Sequence, residues 1–354
     1  MRSSLMLLSV LSFSSLSAQT WRVDPKPVIS IGTSDLSGSE LLKVTSAHRL
    51  ADGRIVVTNG DPREVRVFGK DGKLLSRFGR PGKGPGEFGY SIALLPTAGD
   101  SIVVWDFGNR RRLLFQSDGK LVKETSDPAG TSAAGQLTVF RRTLVRFGSR
   151  GQNACLLQAI AALPRVNDPV LREVFADEAG RVWSRSGSGA TWALHTEAGQ
   201  SLGTVTLPAG MELFQAGKDF VLGRTTDDDG FDHVRLLRAT LPPAPSTRQG
   251  CVTPPPDTTM ASKIVAAATK TDMRNAMTAS EAYFADHATY PASFEAMKEV
   301  GYQMSKAAYE GDLVVLRSSA TGYRYAIFHR KSTYMCLVDV GGGGWMDGVL
   351  MCGF

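Results

Sequence analysis

At 354 residues, 42% hydrophobic and 21% charged with a mean hydropathy of −0.09, the chain has a globular composition, neither disordered nor membrane-embedded. Its length suits two domains, each large enough to bury a core of its own. Forty basic residues against thirty-four acidic ones give a net charge of +6, a mild excess that excludes a basic stripe of the kind that nominates nucleic acid.

Met1 and Arg2 followed by the apolar, Ser-rich run Leu5–Leu16 and the small residues Ser17 and Ala18 predict a secretory signal peptide over residues 1–18. The run is shorter than the roughly 20 residues that a membrane-spanning helix needs. An exported mature chain, periplasmic or extracellular and without stable membrane insertion, is the expectation. No Cys follows the cleavage position, so a lipid anchor is not expected.

Residues 19–241 carry a repeat. Asp52-Gly53 precedes the strand-like Ile55-Val56-Val57, Val65-Arg66-Val67-Phe68 leads to Asp71-Gly72, and the unit returns about 47 positions on, through Ile102-Val103-Val104 and Arg112–Phe115 to Asp118-Gly119. A third copy runs from Glu178-Ala179-Gly180 to Ala198-Gly199, and weaker units cover Leu137–Ala162 and Met211–Leu241. Short apolar runs separated by Asp-Gly or Ala-Gly turns are the pattern of four-stranded propeller blades. Residues 21–44, with Val28-Ile29-Ser30-Ile31, would supply a strand that closes the ring. Five blades or six both fit. Val65–Lys73 and the segment Phe78-Gly79-Arg80-Pro81-Gly82-Lys83-Gly84-Pro85-Gly86-Glu87-Phe88 resemble the six-bladed, NHL-like propeller proteins exported by some Gram-negative bacteria.

The glycine cluster does not have the spacing of a Walker loop, since Lys83 is followed by Gly84-Pro85, and it reads as an inter-blade connection. Arg110, Arg111 and Arg112, with Arg141 and Arg142, are a candidate anion-binding patch; such runs also occur as solvated turns. Some enzymes built on propellers place a divalent metal at the central channel, which makes Asp61, Asp106 and Asn109 positions to inspect and calcium the ion to consider. Asp227-Asp228-Asp229-Gly230 lacks the alternation of an EF-hand loop and reads as a polar turn. His48, His195, His233, His287 and His329 show no metal-ligand spacing, and no nucleophile-elbow motif is present. Neither a catalytic residue nor a resident cofactor is predicted. Trp105, Trp183, Trp192 and Trp345 read as core.

Residues 242–257, with six prolines in sixteen positions, form an extended linker. In 258–354 the sequence predicts a helix from Thr258 to Asp286, with Ile264, Ala268, Met273, Met277, Ser280 and Phe284 near one face, and a short helix over Ser293–Glu299. Strands follow at Leu313–Arg317, Tyr323–His329, Tyr334–Val340 and Val349–Cys352. The expected fold is therefore an all-β propeller of five to six blades followed by a small α+β domain, one long helix on an antiparallel sheet. The residues Ala276–Pro291, Ala320-Thr321-Gly322-Tyr323 and Cys336 resemble the globular domain of type IV pilins and pseudopilins. In those proteins an apolar polymerising helix stands where this chain has its propeller. Export favours disulfides; Cys336 with Cys352 is the expected pair, leaving Cys155 and Cys251 as the second or as free thiols.

Three functions of different class fit these features. They are a non-enzymatic envelope protein binding protein or glycan partners, an accessory part of a pilus or type II secretion-like machine, and a metal-dependent hydrolase or lyase at the propeller channel.

Overall fold

The structure, a computed structural model, describes residues 20–32, 40–90, 92–95, 101–126, 137–140, 143–146, 172–186, 189–196, 198–243, 260–305, 311–329, 335–341 and 350–353. The expected signal peptide, Arg141, Arg142, Cys155, Cys251, Trp345 and most of the Pro-rich linker lie outside these residues.

Strand β1 (Thr20–Ile31) is followed by a first blade, β2 (Ser46–Arg49), β3 (Ile55–Gly60), β4 (Arg63–Phe68) and β5 (Leu74–Phe78). A second blade comprises β6 (Ile92–Leu95), β7 (Ile102–Asp106), β8 (Arg111–Phe115) and β9 (Leu121–Ser126). Each is an antiparallel four-stranded sheet in sequence order. The hairpin β10 (Leu137–Phe140) and β11 (Thr143–Arg146) precedes a blade of β12 (Arg172–Ala176), β13 (Val182–Ser186), β14 (Thr191–His195) and β15 (Ser201–Thr206). The last blade takes β16 (Glu212–Ala216), β17 (Phe220–Thr226) and β18 (Asp232–Thr240) from one end of the propeller sequence and β1 from the other. Arg22 pairs with Thr240 and Ile31 with Val234, so the strand expected at Val28–Ile31 completes the last blade.

The glycines that mark the repeat sit in its turns. Gly53, Gly72, Gly119, Gly180 and Gly199 all have φ between 80° and 90°, which only glycine adopts without strain. Gly119 also lets one blade meet the next, because a Cβ there would lie 2.6 Å from the Phe78 ring of β5.

Strand β3 is buried along both faces, so it reads as a continuous apolar run rather than an alternating one. Ile55 and Val57 pack with Ile31, Leu222, Val234 and Leu236 of the last blade, whereas Val56 joins Ile92, Val104, Leu113 and Phe115 of the second. A third inter-blade core gathers Phe175, Trp183 and Trp192 against Val221 and Leu237. Trp105, Trp183 and Trp192 are core residues, none more than 1% exposed.

One expectation changes. The weaker unit beginning at Leu137 is not a separate sheet in its described part: β11 pairs in parallel with β12, Thr143 beside Arg172, and the hairpin extends the third blade. At the other edge Thr20 and Trp21 of β1 pair in parallel with Thr204 and Val205 of β15, joining the third and last blades into one ten-stranded sheet. Period-two patterning identifies strands but not which blade annexes a two-stranded piece.

Helix α1 (Met260–His287) and helix α2 (Phe294–Glu299) follow, the latter capped by the Ser293 hydroxyl, which accepts from the Ala296 N–H at 3.1 Å. Strands β19 (Gly311–Ser318), β20 (Tyr323–His329), β21 (Met335–Val340) and β22 (Met351–Gly353) form an antiparallel sheet in that order. The helix packs on β20 and β21 through Val265, Met273, Ala276 and Ala279, against Tyr323, Tyr325, Ile327 and Val338. Its buried face is close to the expected one: Met273 and Ser280 are buried as predicted and Ala268, Met277 and Phe284 half-buried, but Ile264 is half exposed, and Thr269 and Asp272 are buried in addition. Each of these polar residues finds a partner. Asp272 accepts from the Ser305 N–H and hydroxyl, both at 3.0 Å, and the Ser280 hydroxyl donates to Ala276 O and approaches the Tyr325 hydroxyl. Among the described residues no helix is long and apolar enough to cross a membrane.

Cys336 and Cys352 are directly opposite on β21 and β22 and form a disulfide, as the sequence predicts. Closing a loop of 16 residues constrains the unfolded chain. Replacing both cysteines by Ser is expected to lower the stability of the α+β domain by about 3 kcal/mol in urea denaturation. A change below about 1 kcal/mol would show that the sheet holds this loop without the bridge.

Candidate functional site

Connections between blades carry carbonyls that have no ladder partner and must find donors elsewhere. Buried arginines supply them. Arg111, 7% exposed, uses all five of its N–H groups: Nε toward Asp106 (3.3 Å), Nη1 to Glu124 (2.6 Å) and Lys83 O (3.1 Å), and Nη2 to Gly84 O (2.9 Å) and Glu87 O (2.8 Å). Asp106, fully buried, also accepts from the Gly89 and Asn109 N–H groups and from the Asn109 amide at 2.7 Å. Together they clamp the glycine segment, whose tight fold brings the Phe88 ring so close to Gly79 that a Cβ there would lie 2.0 Å away. The segment is the inter-blade connection that its spacing predicts, not a phosphate cradle.

Arg181 repeats the device: it pairs with Asp177 at 2.6 Å and donates to Pro242 O and Gly217 O. Burial pushes the Asp177 carboxyl up, against the opposing pull of Arg181 and of the Trp183 indole N–H at 2.8 Å. Arg224 pairs with Glu212 and Asp232 and donates to Val44 O; Arg66 pairs with Glu64 and donates to Glu40 O.

The sequence candidates are dispersed by this arrangement. Of Arg110, Arg111 and Arg112 only Arg110 and Arg112 face solvent, so the three-arginine patch is corrected to two exposed residues on either side of a structural one. The reason is alternation along β8, which points residues 111, 113 and 115 inward. Asp61 stands in an exposed turn, and Asp106 and Asn109 are engaged as described. Asp227 accepts from the Asp229 and Phe231 N–H groups and lies 2.7 Å from His233 Nε2; that histidine contact and the backbone donors hold its carboxyl below the usual range. Among the described residues no three His, Cys, Asp or Glu side chains gather as a metal site.

Sequence reasoning missed one concavity. Between Val23 and Pro27 strand β1 slips register against β18, so residues 24–26 bulge away opposite Arg238. Pro25 and Pro27 cannot donate to the ladder, which is the local cause. A depression of about 600 Å³ opens there, lined by Arg22, Asp24, Pro25, Asp219, Arg238 and Thr240. Two arginines and two aspartates are among its lining residues, a set able both to donate and to accept hydrogen bonds. The two prolines within a strand-like run were the available signal.

Two outcomes are expected. Arg111→Ala should cost about 3–5 kcal/mol in denaturant unfolding, because it strands Asp106 and three carbonyls, while Arg110→Ala and Arg112→Ala should stay within about 0.5 kcal/mol. A neutral Arg111→Ala would refute the clasp. His48 on β2 is pushed down to about 4 by burial. The unfolded chain therefore takes up a proton below about pH 6.5 that the folded chain refuses, and stability falls as pH drops toward about 4, by at most about 3 kcal/mol. Urea midpoints at pH 7 and pH 5 should differ, and His48→Gln should flatten that difference.

A family model described as a 6-bladed beta-propeller matches residues 28–147. No curated protein matches the chain. Among solved structures it is similar to a candidate exported protein of Bacteroides fragilis, at 10% identity over 94% of this chain and 79% of that one with a TM-score of 0.29. It is also similar to the PQQ-bound aldose sugar dehydrogenase of Streptomyces coelicolor, at 13% identity over 62% of this chain and 98% of that one with a TM-score of 0.36. A third is virginiamycin B lyase of Staphylococcus aureus, at 12% identity over 60% of this chain with a TM-score of 0.21, of which the chain spans only 59%. The described blades and the matching family model make the first domain a β-propeller.

Proposed function

We propose that the chain is an exported, non-enzymatic binding protein of the cell envelope, periplasmic or extracellular, whose propeller engages a protein or glycan partner. The observation that carries this reading is the depression at the β1 bulge, lined by Arg22, Arg238, Asp24 and Asp219 on and beside the paired strands β1 and β18. Rigid strands present those groups without an ordering cost at binding. The acids that the sequence offers for metal chemistry are instead occupied in holding loops, Asp106 by Arg111 and Asn109, and Asp227 by its own turn. The leader-like residues 1–18 and the disulfide support export. The long helix on an antiparallel sheet supports the pilin-like reading of the second domain. It would act there as a second interaction module rather than a filament subunit.

The test is binding of the purified oxidised chain to an array of envelope-derived oligosaccharides, muropeptides and purified envelope proteins, beside the variant Asp219→Asn/Arg238→Gln. Micromolar binding to one of them, weakened at least about tenfold in the variant, is expected. Equal binding by the variant, or none by either protein, would overturn the assignment. So would stoichiometric calcium in native mass spectrometry accompanied by turnover of an arrayed compound.

A further inference from the structure

The face of β17 and β18 that packs on the third blade changes character along its length. Side chains alternate between faces along a strand, and residues directly opposite on paired strands share a face. Val221 and Leu237 are such a pair, and both belong to the core that holds Phe175, Trp183 and Trp192. Two positions along the same face come Gly223 and Arg235, with Ser30 of β1 on the other side of Arg235. Two positions further come Thr225 and His233. The apolar seam between the blades thus gives way to polar side chains.

Three of those side chains keep a buried polar atom that no protein group satisfies: Thr225 Oγ1, His233 Nδ1 and Arg235 Nε. Such groups are rare in native proteins and call for a partner from outside the chain. The nearby acids are already engaged. Asp227 lies 2.7 Å from His233 Nε2, and Glu212 and Asp232 pair with Arg224. A carboxylate only accepts, so the proton between Asp227 and His233 sits on Nε2, and Nδ1 is the ring atom still to be satisfied. Arg235 takes part in no ion pair among the described residues. Beside it Met211 supplies an apolar wall, because a Cβ on Gly223 would lie 2.7 Å from the Met211 Cε.

We propose that this seam is a second ligand site, which holds a carboxylate group between Arg235, Thr225 and His233. It lies toward the opposite end of β18 from the depression lined by Arg238 and Thr240, and it stands whether or not that depression takes a partner. The chemistry selects the class. The Nε–H and a neighbouring Nη–H of a guanidinium form a fork that fits the two oxygens of a planar carboxylate. The Thr225 hydroxyl donates to one of those oxygens, and Nδ1 donates when the imidazole carries both protons. One unpaired cation suits a monoanion. A dianion would face Asp227, Asp228 and Asp229 of the adjoining turn with too little positive charge to offset them.

The experiment follows the histidine ring nitrogens of the full oxidised chain, isotope-labelled at histidine, by NMR at about pH 6. His233→Gln identifies the signal of interest. Sodium acetate is the probe, beside sodium chloride and sodium sulfate at equal ionic strength. Acetate should move the His233 signals saturably where chloride does not, and Arg235→Gln should raise the acetate concentration for half-saturation at least about tenfold. Thr225→Val, which removes one donor and little else, should raise it about threefold or more. Circular dichroism reports folding. Should Arg235→Gln fail to fold, Arg235→Lys keeps the charge without the fork and must also weaken acetate. No saturable shift with acetate, equal half-saturation in the folded variants, or a tighter response to sulfate than to acetate would overturn the site.

Discussion

The guanidinium groups buried between blades are what the rest of the propeller depends on. Blades stack by apolar contact, which is non-directional and does not itself fix how the connecting loops cross. Those loops carry carbonyls that must find donors out of water, and a planar group with five N–H bonds satisfies several at once. Arg111 serves three carbonyls and two carboxylates, and Arg181 serves Pro242, Gly217 and Asp177. The acid beside each arginine is needed because an unpaired cation in that setting would cost more than the loop contacts return. The arrangement recurs with different spacing in each blade, so it belongs to the architecture rather than to one site.

Much of the fold was legible because its signals are local. A glycine at positive φ sits in one set of hairpin turns, β2–β3, β4–β5, β8–β9, β12–β13 and β14–β15, and the repeat Gly53, Gly72, Gly119, Gly180 and Gly199 announces them. The strands of the second domain fall within a few residues of their expected bounds for the same reason: Tyr323–His329 follows the turn in which the Ser319 N–H donates to Gly322 O. What was not legible depends on partners distant in sequence. Nothing near Arg111 distinguishes it from Arg110 and Arg112 except its parity with Leu113 and Phe115, which is a signal that could have been used. On α1 the sequence placed Met273 and Ser280 correctly and missed Asp272, which is buried against Ser305, a partner that the helix sequence does not contain. Hydrophobicity alone ranks the half-exposed Ile264 above it.

The candidate site illustrates the same division. Residues that look chemical in one dimension turn out to be occupied, Asp106 and Asp227 by backbone donors and the Asn109 amide by donating to Asp106 and Gly82 O, whereas the concave surface arises from two prolines that deny β18 its ladder partners. In a sheet protein a break in pairing is as informative as a cluster of charge. The second domain solves its own core differently, with Tyr323 stacked on Tyr325 at 4.3 Å and Tyr290 edge-on at 4.8 Å. Burial pushes the Tyr325 hydroxyl up to about 12, so that ring keeps its proton at neutral pH.

The pairing of β1 with β18 carries a kinetic meaning. Strand β1 is made before the other described strands of the propeller, yet its ladder with β18 lies at the end of the propeller sequence. During vectorial emergence from a ribosome or a translocation pore, β1 must stay unpaired until the whole ring sequence is out, which delays the longest-range closure to the last step. The half-made chain meanwhile presents a twelve-residue strand with an open edge. Three prolines or charges in a row at Asp24-Pro25-Lys26, placed in its middle, make that waiting edge a poor template for wrong partners.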